Sequence, residues 1–350
     1  MGQRVLITGI SGHLAGRLAR RLEEDRDVEY VVGVDLTEPR VDLERTEFVR
    51  ADIRNPLIVK VLQTTEVDTA VHLNILAAPT GVGGRSQMKE INVIGTMQLF
   101  AACQRAEKLR RVVMKSTTAV YGADARNPAL FTEELSARAE VRSGYAKDAV
   151  EVEQYARTLA RRRPDMALTT LRFANFIGPD IVSSLSRYFD LPVVPTPLGY
   201  DARLEFIHED DAIEALYRVT REQHPGTYNV SADGVVFLSQ ALRLLGKAPL
   251  PILLPFAQPV AQLVRRMGLV DFAADQLRLL LYGRATDSSR LKKELGWEPK
   301  HTSREALMDY ARGRKVQRFI TPERLAAWEE DLQAFLRRKG QERFEKAKGT

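Results

Sequence analysis

Near its start the chain carries Thr8-Gly9-Ile10-Ser11-Gly12-His13-Leu14-Ala15, residues whose types and spacing suit the binding of a phosphate group. Two glycines three apart let the backbone turn tightly, so that backbone amides face a pyrophosphate, and a helix starting there adds its positive dipole end. Ala15 stands where a third glycine would fall, and a dinucleotide fingerprint tolerates Ala at that last place. Asp35 closes the apolar run at 30–34 (YVVGV), where a carboxylate about 20 residues after the glycines accepts the ribose hydroxyls of an adenosine. Its charge repels a 2′-phosphate, which favours NAD over NADP, and Arg40 is the one neighbour that works against this. Lys115 and Thr117 lie two apart, so in an extended strand they leave the same face. His13, His72, His208, His224 and His301 are scattered, and none pairs with Cys103 or an acid at a ligand spacing, so no metal site is expected. His72, on an apolar strand, reads as a satisfied core histidine.

These residues need a scaffold. Residues 4–8 (RVLIT) form a short β-branched run, and 14–22 then repeat apolar residues at helical spacing. Further strands are expected at 30–34, 47–50, 69–73 and 111–114, with a helix over 91–103 among the segments between them. Strands alternating with helices predict an α/β fold, a Rossmann-type doubly wound parallel sheet with ligands at the carboxyl ends of the strands. The expected division is a NAD-binding domain over 1–175, a smaller C-terminal substrate-binding subdomain over 176–312 interleaved with the core, and a basic helical tail over 313–350.

With 44% apolar and 28% charged residues, the 350-residue chain has the mix of a globular protein. Its net charge of +6 comes from scattered basic residues without interleaved aromatics, which argues against nucleic-acid binding. No run of about 18 apolar residues exists to span a membrane. A single cysteine and the lack of a signal-peptide pattern after Met1 lead to a cytoplasmic expectation.

Several ordered motifs go further: ADIRNP at 51–56, AVHL at 70–73, NVIGT at 92–96, STTAVYG at 116–122, LRFANFIGP at 171–179, EFIHEDDAIEAL at 205–216, GTYNVSADG at 226–234 and SSRLKKELGWEP at 288–299. With the glycine loop they resemble the extended short-chain dehydrogenase/reductase superfamily, in its branch of NAD-dependent epimerases and dehydratases. The resemblance implies NAD as cofactor. It places Gly9, Ser11, Gly12, His13 and Leu14 along the pyrophosphate, Asp35 at the ribose, Asp52 and Ile53 beside the adenine, Asn74 beside the cofactor and Phe173 facing the nicotinamide. It also puts Thr117 on the catalytic Ser/Thr and Asn175 on the substrate side. Family members pair through helices such as 91–103 and 150–160, so a homodimer is expected, with a small-molecule substrate.

The same resemblance exposes a departure. In the family a tyrosine begins a helix and a lysine four residues later directs its ammonium toward the ribose and the phenol. A phenol titrates near pH 10, so a base working near neutrality needs a downward shift of about 3 units, roughly 4 kcal/mol. Here Tyr145 aligns, as does Glu153 eight residues on, but the lysine position is Ala149. Lys147 is turned about 200° around a helix from Tyr145. Three readings stay open: an enzyme in which bound NAD, Thr117 and Lys115 or Lys147 rescue Tyr145; a reductase or isomerase, of a hydrophobic substrate, without this chemistry; and a non-catalytic NAD-responsive binding or scaffold protein.

Beyond residue 175, Pro192, Pro195, Pro197 and Gly199 mark irregular substrate-side loops. Arg203 precedes Phe206 by three residues where nucleotide-sugar enzymes of the family often place arginine two before, and Arg203, Arg284 and Arg187 are basic candidates for a phosphorylated substrate. The apolar stretch 249–264 is expected as subdomain core, with a lipid-facing lid or substrate tunnel as the other readings.

Overall fold

A computed structural model of the chain describes residues 2–77, 84–135, 141, 144–257, 259, 262 and 274–314. Strands β1 (Gln3–Thr8), β2 (Val28–Asp35), β3 (Thr46–Arg50), β4 (Thr69–His72), β5 (Arg111–Thr117) and β6 (Ala167–Phe173) form most of a central sheet. Its order is β11-β6-β5-β4-β1-β2-β3, seven strands, every neighbouring pair parallel. The outermost strand, β11 (Gly226–Val230), comes from beyond residue 175, so the sheet draws on both parts of the chain.

Helix α1 (His13–Glu23) packs on one face through Leu14, Ala15, Leu18 and Leu22. The helical segments α2 (Ile58–Thr65), α3 (Gly84–Lys89), α4 (Thr96–Arg105) and α5 (Gly144–Arg162) follow, with α2, α4 and α5 covering the other face. The helix expected over 91–103 begins as a π-turn, Glu90–Gly95, that runs into α4. Strand β5 runs on to Thr117, three residues past the apolar run at 111–114, because Ser116 finds a buried partner in Glu153. The sheet order reverses between β1 and β4, and a crevice at such a switch point is where open α/β sheets bind ligands.

Three two-stranded sheets build the remainder: β7 (Asn175–Ile177) with β10 (Phe206–His208), β8 (Val193–Pro197) with β13 (Ala248–Ile252), and β9 (Arg203–Leu204) with β12 (Val236–Phe237). Around them lie α6 (Ser184–Asp190), α7 (Glu209–Arg221), α8 (Leu238–Leu244), α9 (Ala274–Tyr282), α10 (Ser289–Leu295) and α11 (Ser303–Gly313). Helix α7 joins α1 on the first face of the large sheet. Tyr188, Phe189, Phe206, Leu242, Leu307 and Tyr310 form a separate core for this half.

The expectation that 249–264 is subdomain core is not met at its start, where Leu250, Leu253, Leu254 and Phe256 are exposed. Among the described residues strand β13 pairs only with β8, a two-stranded ribbon too narrow to bury both faces. Most of 258–264 and the tail from 315 lie outside the described residues. His72 is wholly buried between the Thr8 and Thr96 hydroxyls, at 2.7 and 2.8 Å, and burial holds it neutral, with its pKa lowered to about 3. His208 and His301 stack with ring centroids 4.0 Å apart, held by Asp309 and Asp211 at 3.2 and 2.8 Å.

Candidate active site

The glycine loop joins the carboxyl end of β1 to α1. Gly9 has φ +77°, and a Cβ there would meet the Asn74 Cα at 2.9 Å, so the loop is pressed against the backbone that follows β4. Gly12 is the N-cap of α1, supplies no side-chain cap, and has no acidic residue in the turn after it. The first amides of α1 are therefore left for an anion, which fits a pyrophosphate.

The Asp35 carboxylate accepts from the Ser11 amide at 3.0 Å and from the Ser11 hydroxyl at 2.6 Å, which ties the end of β2 to the loop. Arg50, opposite Asp35 on β3, is paired with Glu38 at 2.9 Å, and Arg40 is exposed. Asp52 is held by Arg54 through several hydrogen bonds, which keep its carboxyl below the usual range. Ile53 is buried where a Cβ on Gly95 would touch it. His13 bonds the Glu209 carboxylate instead of facing outward from α1, and Leu14 is buried in the core. Phe173 is wholly buried, with its ring 5.1 Å from that of Phe176.

The carboxyl end of β5 carries the second group. Thr117 caps the 3-10 turn Thr118–Tyr121, and its hydroxyl shares a hydrogen bond with the phenol of Tyr145, the second residue of α5. Burial holds the Tyr145 phenol well above the ordinary range, Asp148 adds to the rise, and the Thr117 bond and the Arg284 charge oppose it. Ala149 is buried in an apolar cluster with Val120, Tyr121 and Phe131. Lys147 is exposed. Lys115 lies on β5 with its pKa lowered to about 8 by burial, and its charge is felt at His72.

A buried network stands behind the pair. Arg172 grips Glu153 at 2.9 and 2.6 Å and donates to the Tyr121 hydroxyl at 2.8 Å, while Tyr121 donates to Asn229 at 2.7 Å. Glu153 also accepts from Ser116, so β5, β6, β11 and α5 are locked beneath Thr117 and Tyr145. Asn92 bonds both the amide and the carbonyl of Leu76 and reaches Asp148, bracing the loop after β4.

Among the substrate-side residues, Asn175 donates to the Glu205 carbonyl at 3.0 Å. Arg203 turns away to the Ala129 carbonyl at 3.0 Å, and Arg187 lies on α6. Arg284 is buried, bonded to the Thr118 hydroxyl and the Gly122 carbonyl, each at 3.2 Å. Two acids stand beside the site without having been singled out from the sequence. Glu205 is buried against Thr286 with its pKa pushed up to about 7, and Asp148 is gripped by Arg85 at 2.5 and 2.7 Å. An acid just before Phe206 and another just before Ala149 were the available signals.

The model of the NAD-dependent epimerase/dehydratase family matches residues 5–231, which takes in the glycine loop, Thr117, Tyr145 and strand β11. The chain belongs to this family. An uncharacterized protein of Mycobacterium tuberculosis is 45% identical over 329 residues, 93% of this chain and 88% of that protein. UDP-glucuronic acid decarboxylase 6 of Arabidopsis thaliana is 25% identical over 330 residues, 87% of this chain and 86% of that one. Among solved structures, a UDP-glucose 4-epimerase of Thermotoga maritima with UDP-glucose superposes with a TM-score of 0.68 at 18% identity, over 89% of this chain and 99% of that one. A dTDP-glucose 4,6-dehydratase of Bacillus anthracis in complex with NAD gives 0.66 at 18% identity, over 90% and 97%. These likenesses establish the family's fold around the two site groups. No described helix is long and apolar enough to cross a membrane.

Proposed function

We propose that the chain is a NAD-holding oxidoreductase of the epimerase/dehydratase type, acting on a nucleotide-linked sugar or related hydroxyl or keto substrate. The observation that carries this is the Tyr145–Thr117 hydrogen bond, set at the sheet edge that also presents the glycine loop. Gly9, Ser11, Gly12 and the start of α1 would hold the diphosphate, and Asp35 the adenosine ribose. NAD, when bound, supplies a hydride acceptor and, where the hydride returns, its donor. Thr117 would orient the substrate hydroxyl through its own, and Tyr145 Oη, as the phenolate, would take the hydroxyl proton as the carbon–hydrogen bond breaks. The decarboxylase and epimerase relatives, by their names, act on UDP-sugars, which supports this substrate class. A homodimer is part of the reading, supported by Ile94 and Met97, which are exposed on the π-turn and α4.

A second reading, a NAD-responsive binding protein without turnover, draws on Asp148 and Ala149, which place a carboxylate and no lysine beside the phenol. The absorbance of reduced cofactor, followed across a panel of UDP- and dTDP-sugars for the wild type and Tyr145→Phe, separates the two. Turnover lost in Tyr145→Phe supports the first reading. Turnover untouched by that substitution removes Tyr145 from the mechanism, and tight NAD binding with no turnover on any sugar supports the second.

A further inference from the structure

We propose that the amino-terminal edge of the large sheet carries a second anion site, in which Arg111 takes a phosphate group through its Nε–Nη2 edge.

The site lies at the far end of β5 from Thr117. Arg111 opens that strand and Thr117 closes it, so about 20 Å of extended chain separates the two. Gln3 and Thr69, the first residues of β1 and β4, lie beside Arg111. A cavity of about 730 Å³, open to solvent, is set between these strand ends, and Arg26, Arg110, Arg111 and Arg221 line it together with Asp27 and Asp68.

Arg111 is partly buried, and its Nη1 donates to the Thr220 carbonyl in the last turn of α7, a contact that caps this helix. Its Nε is buried without a hydrogen-bond partner, and Nη2 has none among the described residues. These two nitrogens form one edge of a planar fork, which fits two oxygens of a single anion. A buried donor left unbonded is costly, and a bound ion is one of the few things that completes it.

The acids nearby leave this edge open. Asp68 and Glu222 act on Arg111 through space without forming an ion pair, Arg221 opposes them, and burial, the largest effect, lowers the Arg111 pKa. The Asp68 carboxylate accepts from the Arg4 amide at 2.8 Å and from the Thr69 hydroxyl at 2.6 Å. Asp27 is paired with Arg221 at 3.2 Å, and Asp25 holds the same guanidinium at 2.6 Å. Arg110 Nη1 donates to the Glu107 and Leu109 carbonyls, and Arg26 is exposed with no side-chain bond among the described residues. Arg26, Arg110 and Arg111 are therefore the cations left to the cavity, with Asp68 opposing them. A phosphate group brings nearly two negative charges and three acceptor oxygens, where a carboxylate brings one charge and two oxygens, so phosphate is the better match. The cavity also has room for a small molecule attached to that phosphate.

The test titrates the full chain, labelled with 15N at arginine, with inorganic phosphate and with glycerol 3-phosphate at constant ionic strength. The Arg111 Nε–H signal is assigned through its own backbone amide and by its loss in Arg111→Lys. A saturable shift of that signal is expected, and Arg26→Ala, at an exposed position outside every helix and strand, should weaken it about threefold. Tighter binding of the ester assigns the cavity to a phosphorylated small molecule, and equal binding assigns it to free phosphate. An Arg111 signal that stays in place at millimolar concentrations of both probes, that moves equally with chloride, or that titrates identically in Arg26→Ala overturns the proposal. Phosphate captured only at the glycine loop leaves the Arg111 signal in place and overturns it as well.

Discussion

Thr286 locks the Glu205 carboxyl, donating its amide at 3.0 Å and its hydroxyl at 2.6 Å. Burial outweighs these bonds and pushes Glu205 from 4.5 up to about 7. The folded state thus binds this proton more tightly than the unfolded chain does. The stability it confers is complete below about pH 4.5 and is lost as pH rises to about 7. Relative to Glu205→Gln, the wild type should lose up to about 3 kcal/mol across that window. Urea unfolding of both proteins between about pH 5 and pH 8 checks this, and a difference that stays flat with pH contradicts it.

Arg172 and Glu153 are both buried and bonded twice. Glu153→Leu leaves the Arg172 guanidinium in the core without a carboxylate and should cost about 3–5 kcal/mol, whereas after Arg172→Met the Glu153 carboxylate keeps Arg157 at 3.5 Å and Ser116 at 2.7 Å, so that variant should cost less, and the double variant clearly less than the sum. Because Arg172 also bonds Tyr121, Arg172→Met should loosen the Tyr121–Phe131 stack, which near-ultraviolet circular dichroism would report. Additive losses would mean that the two residues do not act as a pair.

The glycine loop and the strand ends could be read from the sequence because local rules govern them: Gly9 needs a positive φ, and β1, β2 and β4 are short apolar runs bounded by turns. The position of Asp35, at the end of β2 and bonded to the glycine loop, could be read from spacing alone. Arg284 could be named as a cation near the site, but its burial against Thr118 depends on a contact 166 residues away in sequence. His13 was expected to line the pyrophosphate through its backbone, and nothing local announces that its ring reaches Glu209, 196 residues on. The exposed leucines of 250–254 follow the same logic, since hydropathy suggests burial but does not reveal that β13 has a single partner strand among the described residues.

Asp148 opposes ionisation of Tyr145, and Arg85 pairs with it. Asp148→Asn removes the opposing charge and leaves Arg85 close by. The rising limb of the rate profile, which follows ionisation of the Tyr145 base, should move to lower pH, and the variant should lose about 1 kcal/mol of stability with the Arg85–Asp148 ion pair. A rate profile unchanged in Asp148→Asn would disconnect that carboxylate from the phenol.

Asp35 meets Ser11 through one oxygen and its own neighbour, Leu36, through the other, at 2.7 Å. Asp35→Asn keeps the shape and removes the charge. NAD affinity should fall by about tenfold, the worth of a hydrogen bond to an ionised group, while the penalty against NADP shrinks. Calorimetry with both cofactors measures the two changes, and tighter NADP than NAD binding by the wild type would remove Asp35 as the discriminating residue.

Gly9 and Gly12 make different demands on the same loop, which allows an internal control. At Gly9 an alanine must adopt φ +77° and place its Cβ 2.9 Å from the Asn74 Cα, so the loop or the backbone after β4 must move. At Gly12 the backbone is extended, and an added Cβ meets only the Gly9 carbonyl oxygen at 3.1 Å. The strain at Gly9 is worth about 1–3 kcal/mol and falls where the diphosphate would sit. Gly9→Ala should therefore weaken NAD by about tenfold or more, and Gly12→Ala by less. Thermal unfolding of both variants without cofactor separates lost affinity from lost fold. Equal NAD affinity in Gly9→Ala and the wild type would mean that the dinucleotide is not held at this loop.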